Sequence, residues 1–315
     1  MLFISKIDYR FWKKFYKIAY IASIILLLMV LIPGIGRSAG GARRWINLGI
    51  QFQPSELAKI GLIIFYASYL TDHKDELKDF KKGFVKPLLY LIPVVLILIL
   101  VQDHLSATII IVLVVGIMML MAGVRPKYFA TVGTGVAVAG AAGLYAMAKF
   151  TSKGAFRIAR ITSFLNPWAD KQGDGWQVIQ SLYAIGSGGL FGVGLGQSKQ
   201  KYLYISEPHT DFIFAVLAEE LGFVGCAIVI GLFGIFIWRG VLAAMKAPDM
   251  FGSLVAVGIT SLIGLQAIIN IAVVTSSMPV TGMPLPFFSY GVTSLLILLC
   301  SVGVLLNISR AGTKV

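Results

Sequence analysis

Long apolar runs separated by polar segments dominate the pattern along this chain. Seven of them have the length, roughly 17 to 25 residues, that a helix needs to cross about 30 Å of hydrocarbon. They are Phe15 to Pro33, Phe84 to Val101, Leu105 to Gly123, Tyr128 to Phe150, Phe212 to Trp238, Phe251 to Ser276 and Phe287 to Asn307. An eighth, Leu57 to Leu70, is short but usable. Inside lipid only helices satisfy every backbone polar group without a closed barrel, so the pattern predicts an all-α, polytopic membrane helix bundle with about eight transmembrane helices.

Composition agrees. Of 315 residues, 57% are hydrophobic and 13% charged, against about 25% charged in a soluble domain, too few to coat a water-facing surface. The net charge of +13 suggests nucleic acid only until its distribution is read, because the cations lie in loops and form no continuous basic face. With the N-terminus in the cytoplasm, the inside segments collect Lys6, Arg10, Lys13, Lys14 and Lys17, then Lys74, Lys78, Lys81, Lys82 and Lys86, then Arg125, Lys127, Arg239, Lys246, Arg310 and Lys314. The short outside segments hold only Arg37, Arg43, Arg44 and Lys59. The positive-inside rule therefore predicts cytoplasmic N- and C-termini. Cys226 and Cys300 fall within predicted helices and imply no disulfide framework or metal cluster. The first 14 residues are basic, with no apolar core or cleavage site behind them, so the first span is expected to serve as an uncleaved insertion signal.

The expected organisation is a single integral membrane domain, 1–315, containing one long extracytoplasmic loop, 151–210. Loops of that length on a compact scaffold are usually functional. Within it, Gln177 to Leu195 is apolar and punctuated by glycine, more like an interfacial or re-entrant segment than a span. A second outer loop, Gly34 to Ser55, runs into a proline suited to starting a helix. No internal repeat is visible, which weighs against repeat-built transporters.

Asp211 stands where the long loop meets an apolar span. There it is either a general base or cation ligand at the outer membrane surface, or a carboxylate that only complements a helix dipole. Glu207 and His209 crowd the same stretch, an unusual place for ionisable groups without use. An H-x-D spacing alone lacks the further ligands of a zinc site. Glu56 and Lys59 share one helical face and can pair, either to neutralise two costly charges or to orient substrate. Glu219 and Glu220 lie two turns below Asp211, and at least one must face the bundle interior. Arg43, Arg44 and Trp45 combine phosphate-binding forks with an aromatic that suits a sugar face or a membrane interface. The Gly186 to Gly196 run contains G-x-G, but no strand precedes it, so a dinucleotide site is not expected. Pro279, Pro284 and Pro286 break the chain before the last span, giving a rigid turn or a cavity lining.

Three strings, "GARRWINLGIQFQPSELAKI" at Gly41 to Ile60, "NPWADKQGDGWQVIQSLYAIGSGGLFGVGLGQSKQKYLYISEPHTDFIFAVLAEELGFVG" at Asn166 to Gly225 and "MPVTGMPLPFFSYG" at Met278 to Gly291, resemble the SEDS family (shape, elongation, division and sporulation). The "EPHTDFIFA" string is closer to its FtsW and SpoVE branch than to RodA. The resemblance implies a peptidoglycan glycosyltransferase that polymerises lipid II at the outer face of the cytoplasmic membrane, partnered by a class B penicillin-binding protein and bearing no nucleic acid. It implies Asp211 as the catalytic aspartate and as a ligand for a divalent cation, Mg or Mn, with no organic cofactor. Arg43, Arg44, Trp45, Gln53, Glu56, Lys59, His209 and Thr210 are the implied substrate-binding set. Members usually have ten spans, so this chain is expected to lack the first two helices, and the family's Y-G-G is here Tyr290, Gly291, Val292. The same cavity and lipid-linked substrate would serve a lipid II flippase, and a non-catalytic scaffold that activates the penicillin-binding protein is the further alternative.

Overall fold

A computed structural model describes residues 1–39, 42–47, 49, 51–135, 164, 166–169, 175–200 and 209–313. The fold is helical, as the apolar runs require. Its principal helices are α1 (Tyr16–Met29), α2 (Pro54–Asp72), α3 (Phe80–Val101, in which π-helical turns flank an α-helical centre), α4 (Leu105–Ala122), α5 (Trp176–Gly188), α6 (Ile213–Met245), α7 (Met250–Val274) and α8 (Val292–Gly312). Among the described residues α3, α4, α6, α7 and α8 are long and apolar enough to cross a membrane. The first expected span is the shorter apolar α1, and the eighth is α2, whose 19 residues carry the Glu56 and Lys59 charges. The expected span Tyr128 to Phe150 lies mostly outside the described residues, of which 126–135 are helical. The chain divides into two compact units, one of Met1–Phe129, Phe236–Gly264 and Gly291–Val315, the other of Ala130–Ile235 and Leu265–Tyr290.

In the first unit α1 packs on α2, where Gly61 lets Ser23 approach so closely that a Cβ would meet its Oγ at 2.3 Å. Tyr16, Tyr20 and Tyr69 stack on Phe65, the edge-on ring of Tyr90 ties this cluster to α3, and the buried Tyr66 hydroxyl donates to the Pro87 carbonyl at 2.9 Å. The loop Gly34 to Ser55 contains more regular structure than its turn-rich sequence suggests. It forms a three-stranded antiparallel sheet of β1 (Gly36–Ala39), β2 (Ala42–Asn47) and β3 (Gln51–Phe52), with Arg37 opposite Trp45 and Ile46 opposite Phe52. At the opposite end, Tyr9 is buried against Phe251 and donates to Asp249 at 2.6 Å, while Asn307 bonds the backbone of Ser5 and Tyr9. Burial and the Asp249 carboxylate together push the Tyr9 phenol up to about 12.

The second unit is organised around a break in α6. Gly222 leaves the helical region, with φ 65° and ψ −166°, which would strand backbone groups at membrane depth. The glycine-punctuated chain after α5 supplies the partners. Val193 and Gly194 N–H donate to the Glu219 and Glu220 carbonyls at 3.0 and 3.1 Å, and Phe223 and Val224 N–H donate to the Gly189 and Leu190 carbonyls at 2.9 and 3.1 Å. Glycine is required on both sides of this clasp: a Cβ on Gly222 would lie 2.3 Å from the Gly192 nitrogen, and one on Gly192 only 2.1 Å from the Glu220 oxygen. Leu190, Phe191 and Leu195 project outward from it, exposed as lipid-facing side chains are. The Gln177 to Leu195 piece is a 13-residue helix α5 followed by a turn hooked onto the broken helix α6. Of the two glutamates, Glu219 is the buried one, and its carboxylate accepts from Ser198 Oγ at 2.5 Å and from the N–H groups of Lys199 and Gln200 at 3.0 and 3.3 Å.

Replacing Gly222 by Ala strains a positive-φ residue and drives its methyl into the clasp, so we expect a loss of about 2 kcal/mol or more. Gly231→Ala, in the same helix with open space around its Cβ, should be neutral or stabilising by up to about 1 kcal/mol. Melting temperatures of the detergent-solubilised variants check both.

Candidate functional site

The first unit gathers one set of the sequence-predicted residues at the turn between α3 and α4. Arg44 reaches from β2 and donates from Nε to the Gln102 carbonyl at 3.2 Å and from a terminal nitrogen to the Asp103 carbonyl at 2.5 Å. Asp103 has a positive φ of 47°, so its carbonyl has left the helical ladder and needs such a donor. Gln102 is fully buried and donates to the Leu27 carbonyl at the end of α1. Next to it, His104 starts α4 by accepting the Ala107 N–H on Nδ1 at 3.1 Å, and its Nε2 lies 3.0 Å from the Gln53 amide at the start of α2. Burial, reinforced by the positive charges of Arg44 and Lys59, holds this imidazole down to about 3, so the ring is neutral.

One turn into α2, the Lys59 ammonium donates to the Glu56 carboxylate at 2.7 Å, and both residues are buried. The i,i+3 spacing on a rigid helix makes the pair. Lys59 also lines a small apolar cavity with Leu62, Ile63, Ile111, Val114, Val115 and Leu262, where an unpaired ammonium would be costly. Trp45 is half-buried in β2 and Arg43, its neighbour but one, is exposed. Arg44, Gln53, Glu56 and Lys59 are therefore drawn together around His104, whereas Arg43 extends outward. Sequence reasoning passed over Gln102 and His104; their signal was the polar break Gln102, Asp103, His104 between two apolar runs.

The second unit holds the other set. His209, Thr210 and Asp211 form the turn that leads into α6, with His209 exposed and the other two half-buried. Each of their carbonyls is taken by a different donor. Tyr290 N–H donates to His209 O at 2.8 Å, Ser289 Oγ to Thr210 O at 2.5 Å, and Asn270 Nδ2 to Asp211 O at 2.7 Å. The same Asn270 nitrogen donates to Met283 O at 2.6 Å, and Ser289 Oγ accepts the Leu285 N–H at 2.7 Å. The proline-rich segment Met278 to Tyr290 is thereby bound to the turn that carries Asp211. Its Gly282 has φ 62°, and a Cβ there would lie 3.1 Å from Asp211 Oδ2, so the carboxylate faces this segment. Glu207 lies outside the described residues. No group of three or more His, Cys, Asp or Glu residues is placed to hold a metal among the described residues.

A family model described as cell cycle protein, covering FtsW, RodA and SpoVE, matches residues 1–314. The chain is 46% identical over 311 residues to stage V sporulation protein E of Bacillus subtilis, covering 98% of this chain and 83% of that protein. It is 45% identical over 304 residues to a probable peptidoglycan glycosyltransferase FtsW of Geobacter sp. strain M18, covering 96% and 81%. Among solved structures it is similar to a chain of a peptidoglycan synthase complex, described as coordinating polymerization and crosslinking, with a TM-score of 0.82, 30% identity, and 99% and 86% of the two chains covered. It is also similar to the rod shape determining protein RodA of Thermus thermophilus, with a TM-score of 0.68, 30% identity, and 98% and 82% covered.

Two outcomes test the first-unit geometry. The unfolded chain takes up a proton on His104 near pH 6.5, the folded chain only near 3, so stability should fall as pH drops through that window and be unaffected by this group above it. His104→Asn keeps a helix cap but does not titrate, and its melting temperature should drop less than the wild type's between pH 7 and pH 5. Lys59→Met strands the buried Glu56 carboxylate and should cost about 3 kcal/mol, most of it recovered in Glu56→Gln/Lys59→Met; melting of the single and double variants measures the difference.

Proposed function

The chain belongs to the FtsW/RodA/SpoVE family, and from that premise we propose that it is a peptidoglycan glycosyltransferase that polymerises lipid II at the outer face of the cytoplasmic membrane. Relatives 41% to 46% identical over almost the whole chain, among them FtsW proteins named as probable peptidoglycan glycosyltransferases, carry the assignment. Both termini face the cytoplasm, as the loop cations argue. The partner is a class B penicillin-binding protein, in keeping with the likeness to a chain of a peptidoglycan synthase complex.

Asp211 is the base of this reaction. The acceptor sugar's 4-hydroxyl oxygen forms a bond to the donor's anomeric carbon, the bond from that carbon to the diphosphate oxygen breaks, and the hydroxyl proton passes to the Asp211 carboxylate. A single displacement inverts the anomeric carbon, and the diphosphate leaves with its polyprenyl chain. A half-buried carboxylate at the start of a membrane helix, facing a rigid proline-rich segment, suits that task. His209 and Thr210, which flank Asp211 in the same turn, contact the substrate; in the first unit, Arg43, Trp45 and Gln53 are assigned to substrate by the family resemblance. Arg44 and the Glu56–Lys59 pair hold backbone and helix within the first unit. A divalent cation, Mg or Mn, would neutralise charge on the leaving diphosphate. Asp211 would hold it with substrate oxygens and water, since magnesium is commonly bound through one or two carboxylates plus phosphates.

The experiment is polymerisation of labelled lipid II by the purified protein with its penicillin-binding partner, read as glycan on a gel. Wild type should make polymer that penicillin does not suppress, and Asp211→Asn should lower the rate at least about 100-fold. An Asp211→Asn protein as fast as wild type would remove Asp211 from the mechanism.

A further inference from the structure

We propose that Asn270 is a positioning residue for the Asp211 carboxylate, acting as a two-carbonyl clamp that sets Asp211 against the proline-rich segment. The proposal rests on the assignment of Asp211 as base. Asn270 lies on α7 and is 1% exposed, a depth where an amide is tolerated only with partners. Its side-chain nitrogen donates to the Asp211 and Met283 carbonyls, at 2.7 and 2.6 Å. Two carbonyls can only accept, so only the NH₂ end of the amide, with its two hydrogens, can serve both. Oδ1 is buried and has no hydrogen-bond partner among the described residues. Both hydrogens of the amide are thereby committed to one side, toward the start of α6 and the proline-rich segment.

The consequence for Asp211 is geometric. Its carbonyl and the Met283 carbonyl converge on one nitrogen, which fixes the start of α6 relative to Gly282, the residue its carboxylate faces. Ser289 and Tyr290 hold the preceding two carbonyls from the other end of the same segment, so the carboxylate's Cα is set by consecutive tethers. A general base works only within about 0.5 Å of its productive position, and such supporting bonds decide whether it is there.

The test compares wild type with Asn270→Asp, which keeps the shape and removes both hydrogens, and with Ser289→Ala, which removes one tether by a single oxygen. Each is assayed for kcat and KM on lipid II and for amide hydrogen exchange over 209–213. Asn270→Asp should lower kcat at least about tenfold with KM within about twofold, and should speed exchange in that turn. Asn270→Gln, which retains the two-hydrogen head, should recover part of kcat. Unchanged kcat in Asn270→Asp overturns the proposal, as does a rise in KM alone, which would mean the network serves binding. Should Asn270→Asp fail to fold, Ser289→Ala decides: kcat reduced about threefold or more supports the tethered turn and an unchanged value overturns it. If wild type itself makes no polymer, the functional assignment fails, and hydrogen exchange still decides the clamp, since an unaltered turn in Asn270→Asp or Ser289→Ala refutes it.

Discussion

A backbone N–H or C=O left without a partner in hydrocarbon costs several kcal/mol, and the most informative parts of this protein are the places where the helical ladder stops. At Gly222 the α6 ladder breaks, and the turn after α5 supplies both the donors and the acceptors that the break exposes. At the turn after α3 the Gln102 and Asp103 carbonyls are met by the Arg44 guanidinium. At the start of α6 the carbonyls of His209, Thr210 and Asp211 are met one by one. In each case the remedy comes from a segment distant in sequence, so satisfying the backbone also joins the loops on which chemistry depends.

The same constraint explains why charged and polar side chains recur near these breaks. Glu219 holds three donors of the Ser198 to Gln200 turn in a single carboxylate. Glu56 and Lys59 neutralise each other inside α2, and His104 remains uncharged because burial and two neighbouring cations make a third positive charge unfavourable. A glycosyltransferase that removes a proton beside a leaving diphosphate needs a carboxylate whose position does not wander, since catalysis by placement fails with small displacements. In the second unit, backbone tethers of this kind hold the turn that carries Asp211, and Gly282 adds no Cβ beside its Oδ2.

Most spans could be read directly, because a run of apolar residues crosses hydrocarbon as a helix whatever its neighbours do. The position of Asp211 at the start of an apolar helix was legible from the change from polar loop to apolar run, and the Glu56–Lys59 pair from helical spacing alone. The sheet at Gly36 to Phe52 was not, since its strands are short, rich in arginine, and stabilised by pairing that local preference does not report.

What the amino-acid order determined by itself is whatever depends on local hydropathy and short spacing: helix class, most spans, and a carboxylate at a helix start. Only the tertiary structure decided what each polar group does. Arg44 looks like a phosphate ligand in sequence and is engaged by two carbonyls some 58 and 59 residues away. Asn270 looks like a minor polar residue in an apolar helix and is bonded to Asp211, 59 positions earlier. The physical reason is that a hydrogen bond is specified by distance and direction between two groups, and only folding brings groups so far apart in the chain into reach.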